Sequence, residues 1–144
     1  MHRPLSITLF ALMFGFSVMV SGLLAFYAVR TPDFGFPIAP EAAATLAMRI
    51  KAIRLVGIVF AVSMMLLVVF GNSPAARNTL GLRWILGLGT SVAFLRGIGA
   101  IAPMGDSDAA AIALSIIQLG VEGLAILILS GDDAAPWFDR YRKH

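Results

Sequence analysis

Ile7-Thr-Leu-Phe-Ala-Leu-Met-Phe-Gly-Phe-Ser-Val-Met-Val-Ser-Gly-Leu-Leu-Ala-Phe-Tyr-Ala-Val29 decides what kind of protein this chain is. The run carries no charge, and at 1.5 Å per residue it is long enough to cross a hydrocarbon core of roughly 30 Å. His2 and Arg3 could form the basic start of a cleaved signal peptide. The apolar run exceeds the usual ~7–15 residues, however, and no small residues stand in A-x-A register near Ala25 or Ala28. The reading is a retained first transmembrane helix over about 7–29.

Working outward, Thr31-Pro-Asp-Phe-Gly-Phe-Pro-Ile-Ala-Pro40 is too rich in proline and glycine to continue a helix. Phe34 and Phe36 suit headgroup depth, and Pro40 with Glu41 suits the first turn of a second helix. That helix is expected over 40–70, with Arg49, Lys51 and Arg54 in an interfacial lead-in and an uncharged Leu55–Phe70 as its buried part. After a turn at Gly71–Asn78, a third helix is expected over 79–102. Pro103–Asp108 is a second turn, with Asp106 or Ser107 placed to cap a fourth helix over 109–130. Gly131 ends it, and 131–144 reads as a polar tail that Trp137 and Tyr141 anchor at the interface. The fold class is therefore all-α, a four-helix transmembrane bundle forming a single domain.

Composition agrees. The chain has 144 residues, 59% of them hydrophobic and 13% charged, and its mean hydropathy is +0.89. A soluble surface of this size needs more charge. The net charge of +3 comes from bases at the ends of apolar segments rather than from a patch, so no nucleic-acid partner is expected. Cysteine is absent, and the only histidines are His2 and His144. Disulfides, thiolate metal sites, iron–sulfur clusters and haem ligation by an intramembrane histidine are excluded, and no cofactor, metal set or catalytic motif is expected. Asp106 and Asp108 read as capping residues rather than metal ligands. Four spans put both ends of the chain on one side. The basic residues divide almost evenly between the two sides, with a modest preference for the termini being cytoplasmic.

Glu122 is the residue most in need of explanation. A carboxylate within an apolar helix must face the bundle interior or meet a cation. Gln118 lies one turn before it and Ser115 two, so the three form a polar stripe. Folding the third and fourth helices about a turn near Gly105 sets Glu122 opposite Gly89, with Arg83 and Arg96 each roughly 10 Å away along the axis. The face shared by Gly89, Ala93 and Arg96 favours Arg96. The stripe is either a buried ion pair that fixes helix packing or a proton, ion or ligand site. Arg49, Lys51 and Arg54 either set the depth of the second helix or contact anionic lipid.

Small residues recur four apart at Ala11 and Gly15, Ser17 and Ser21, Gly57 and Ala61, and Gly89, Ala93 and Gly97. In lipid this spacing permits close helix approach, within one chain or between chains.

Phe34-Gly-Phe-Pro37, the basic start of the second helix, Arg96-Gly-Ile-Gly99 before Met104-Gly-Asp106, and Glu122 in the last helix together carry a resemblance. The chain looks similar to small four-helix bacterial membrane proteins of the DoxX-like kind. The resemblance implies a four-helix bundle in the bacterial inner membrane and carries over no catalytic residues. The expected role is a non-enzymatic accessory subunit that packs against another membrane protein or itself, in contact with membrane lipids. The alternative is a carrier of a small or lipid-like molecule, which requires room beside Gly89 and Gly123.

Overall fold

A computed structural model describes residues 3–28, 39–99 and 106–139, and the side chains of these except 26–28, 93–99, 106–109 and 111. Its elements are α1 (Leu5–Ala28), α2 (Pro40–Val69), α3 (Pro74–Gly99), α4 (Asp106–Ile128) and the short α5 (Ala135–Asp139). The chain is all-helical, with no strand among the described residues.

The boundaries follow from local chemistry. Proline occupies the first turn of α2, where its missing N–H costs nothing. The α2–α3 turn is tighter than the sequence suggests. Asn72 takes a positive φ of 50°, and a Cβ on Gly71 would stand 2.8 Å from the Leu67 carbonyl oxygen, so that position admits only glycine. The Ser73 hydroxyl accepts the Ala76 N–H at 3.2 Å, and this cap with Pro74 starts α3 five residues before Thr79, the expected start.

The four long helices form a ring in which α1 packs on α2 and α4, and α3 packs on α2 and α4. Cross-helix pairs set neighbours antiparallel: as one number rises, its partner's falls. A Cβ on Gly22 would meet Ile58, and the Arg3 guanidinium lies over the Phe70 ring at 4.7 Å. On the other seam, Ser6 meets Asp133 and Ser17 meets Gln118. Between α3 and α4, Gly81 meets Ile126 and Trp84 meets Gly123.

The core lies toward the end of the ring where α1 begins and α4 ends. Ile7, Phe10 and Phe14 pack there with Val68, Leu80 and Leu129. Residues 131–139 correct the polar-tail reading. Trp137 and Phe138 are buried against the bundle, and the Trp137 indole N–H donates to the Val68 carbonyl at 3.0 Å. An amphipathic ring with a polar N–H is suited to an interface, yet here it serves as a lid over the last turn of α2, where carbonyls lack helical partners. Tyr141 lies outside the described residues, as do Phe34 to Pro37 and Met104.

Two of the helices, over Leu5–Ala25 and Pro40–Val69, are long and apolar enough to cross a membrane. The apolar part of α4, Ile112–Ile128, is shorter, and α3 carries Arg77, Arg83 and Arg96. All four helices nevertheless turn large apolar side chains outward, among them Leu12 at 67% exposed, Val56 at 69%, Ile85 at 60% and Leu127 at 68%.

The start of α1 is capped by a distant residue. Asp133 Oδ2 accepts the Ser6 N–H at 3.1 Å, and that bond, which favours the ionised carboxylate, holds Asp133 below the ordinary carboxylate pKa. A lowered folded-state value means stability that is present above the ordinary value and lost as pH falls through the lowered one. Asp133→Asn is therefore expected to flatten the loss of thermal stability on acidification from roughly pH 5 to pH 2. Parallel wild-type and variant melting curves across that range would show that the cap contributes nothing.

Candidate functional site

The polar stripe of α4 faces the seam where α1, α3 and α4 meet. Glu122 is 4% exposed. Its Oε1 receives Arg83 Nη1 at 2.5 Å, and its Oε2 accepts Gln118 Nε2 at 3.1 Å. The same Gln118 nitrogen donates to Ser17 Oγ at 3.0 Å. Ser17 Oγ in turn donates to the Gln118 main-chain carbonyl at 3.3 Å. Both carboxylate oxygens are thus occupied, and three helices are joined by one connected set of bonds. Such a set is costly when broken and specific when complete.

Beside it, Trp84 lies against α4. Its indole N–H donates to the Leu119 carbonyl at 2.9 Å, and its ring covers Gly123 so closely that an added Cβ would stand 2.6 Å from Cζ2. The glycine is what lets the indole approach the helix backbone. Arg83 and Trp84, adjacent on α3, therefore hold α4 at Leu119, Glu122 and Gly123.

The partner of Glu122 is Arg83 rather than Arg96, which the shared face of Gly89 and Ala93 favours. The reason is register. The pairs Trp84–Gly123 and Gly81–Ile126 set Glu122 level with Ile85 rather than with Gly89. The facing position is four residues, about one helix turn, earlier than expected. Arg83 then lies within roughly 3 Å of Glu122's level, and Arg96 roughly 16 Å away. The Arg96 side chain is outside the described residues.

Ser115 is half-buried on the same side of α4. The room expected beside Gly123 is filled by Trp84, while beside Gly89 an added Cβ meets nothing within 4 Å because that position faces outward. Arg49, Lys51 and Arg54 are all exposed on α2. At 100° per residue Lys51 and Arg54 share a side and Arg49 points elsewhere, beside a shallow groove lined by Glu41, Thr45 and Leu46. Among the described residues no three of His, Cys, Asp or Glu converge as a metal would require.

Two members of the site were not singled out from sequence. Ser17 reads there as one of many small residues, although a hydroxyl in mid-run of an apolar helix needs a partner as Glu122 does. Trp84 carried a similar signal, since a buried indole N–H seeks an acceptor.

Chemically, the arrangement is a neutralised carboxylate bonded on both oxygens, with no second carboxylate beside it among the described residues. It positions helices well and presents no unoccupied acid or base. The chain matches no protein-family model, no curated protein and no solved structure.

Proposed function

We propose that the chain is a small four-helix protein of the bacterial inner membrane, with cytoplasmic termini and a kinship to DoxX-like proteins. In this reading it works without chemistry of its own, as an accessory subunit packing against another membrane protein or a second copy. The observation that carries this is a division of labour. Arg83, Glu122, Gln118 and Ser17 satisfy one another inside the bundle, while large apolar side chains are exposed on all four long helices. An outer surface of that kind needs lipid or a protein partner. The outward side of α3 supplies the contact face: Leu82, Leu86 and Val92 are exposed around Gly89, where nothing fills the space beside the backbone. Small residues flanked by large ones let a neighbouring helix approach closely in lipid.

Gly89→Phe tests the reading, because a bulky side chain there blocks close approach without touching the polar network. After gentle detergent extraction and native mass spectrometry, the wild type is expected to carry a stoichiometric protein partner or a second copy. The variant is expected to lose most of it while melting at an unchanged temperature. A wild-type chain that is always solitary, or association indifferent to Gly89→Phe, removes the proposal.

A further inference from the structure

We infer that the outer groove between α3 and α4, at the end where α3 begins, holds one anionic phospholipid. Arg77 takes the headgroup phosphate, and an acyl chain lies along Gly81 and Ile85 of α3 and Ile126 of α4. This rests on the membrane reading above, and it assigns a ligand to a surface that the Glu122 network does not touch.

The groove has a volume of about 550 Å³ and its polarity is graded. Arg77, Asn78 and Ser130 form its polar part, and Gly81, Leu82, Ile85 and Ile126 its apolar part. A phospholipid has that same order, charged at one end and hydrocarbon beyond. From Arg77 to Ile85 the groove extends roughly 12 Å along the helix axis, enough for the upper part of an acyl chain. Gly81 keeps it open: a Cβ there would meet only Ile126 Cγ2, at 4.0 Å.

Arg77 is held ready and has no anionic partner among the described residues. Its guanidinium lies 4.9 Å from the centre of the Phe138 ring, and Phe138 is itself buried by the α5 lid. Its Nε donates to Asn78 Oδ1 at 3.4 Å. Among the described residues no ion pair joins Arg77 to a carboxylate, so its terminal guanidinium nitrogens face none there. Arg77 also stands in the first turn of α3, whose N-terminal end is positive. A planar guanidinium at this depth matches a lipid phosphate, and the aromatic stack limits the side-chain entropy lost on binding. An inorganic anion would use the arginine but not the apolar groove.

The test uses the full chain in detergent, offered phosphatidylglycerol or phosphatidylcholine of equal chain length, with retained lipid counted by native mass spectrometry. The wild type is expected to keep one phosphatidylglycerol in preference to phosphatidylcholine. Arg77→Gln should lower that retention about fivefold, the ratio one interfacial arginine supplies. Arg3→Gln, at the same end of the bundle but on the α1–α2 seam, should leave it unchanged. Gly81→Leu should expel the lipid by filling the groove, and Arg77→Lys should keep most of it by preserving the charge.

Equal retention by the wild type and Arg77→Gln overturns the site. So does displacement of the lipid by inorganic phosphate, which would reduce it to an anion contact without an acyl groove. Flotation of the wild type with vesicles of phosphatidylcholine alone separates the two readings. A chain that does not float loses both; one that floats but shows no headgroup preference loses this site only.

Discussion

Arg83→Leu is expected to destabilise the bundle by about 3 kcal/mol, toward the lower end of the roughly 3–5 kcal/mol for stripping one partner from a buried ion pair. The lower end applies because the Arg83 side chain is 32% exposed while that of Glu122 is 5% exposed. That asymmetry also predicts an order. Removing the arginine strands a carboxylate in the seam. Glu122→Leu instead frees a long cation that can swing its head outward, which costs about 1–2 kcal/mol. The double variant, with leucine at both positions, should recover most of the loss, since an apolar pair of similar volume can replace a buried ion pair. Denaturant unfolding in micelles of the two single variants and the double variant reads all three terms. A cost for Arg83→Leu no larger than that of an exposed control such as Arg54→Ala would mean that the pair does not hold α3 to α4.

Gly123→Ala should cost about 2–3 kcal/mol, an unusual result for the mildest substitution available. In a helix interior this change ordinarily gains about 0.5–1 kcal/mol. Here the new methyl would lie 2.6 Å and 2.8 Å from two indole carbons of Trp84. Moving the ring away overpacks its surroundings and breaks its bond to the Leu119 carbonyl. Gly120→Ala is the matched control: it lies one turn earlier on α4, and nothing stands within 4 Å of its added Cβ. Thermal unfolding should separate the two variants in sign. In a Trp137→Phe background, where Trp84 is the remaining indole, its emission should shift only for Gly123→Ala. Two variants that melt together would mean that the indole does not rest on Gly123.

Much of the helical layout is legible in the sequence because the cues are local. The uncharged run of α1 and the Pro40–Glu41 start of α2 each announce an element without reference to the rest of the chain. The polar stripe of α4 is legible for the same reason, since Gln118 and Glu122 share a face by helix geometry alone. Its partners depend on longer-range facts. Which arginine meets Glu122 turns on the α3–α4 register, and an error of one helix turn there carries Glu122 from the level of Arg83 to midway between Arg83 and Arg96. Ser17 enters only because α1 closes the ring against α4. The buried Trp137 and Phe138 were hidden by their setting: five residues among charges read as tail until a cavity for them exists. Ser73 and Pro74 were a missed local cue, a cap and a first-turn proline in their usual order.

The seam between α1 and α4 bears on how the protein is made. A chain emerging from a ribosome delivers α1, α2 and α3 before α4, so until the fourth helix arrives the ring is an open arc. During that interval Ser17 has no Gln118, Arg83 has no Glu122, and the Ser6 amide has no Asp133. Three-helix intermediates therefore present unpaired polar groups on both open edges of the arc, α1 and α3, and the arrival of α4 satisfies them together. The completed bundle and the stalled chain differ by whether those polar groups are paired.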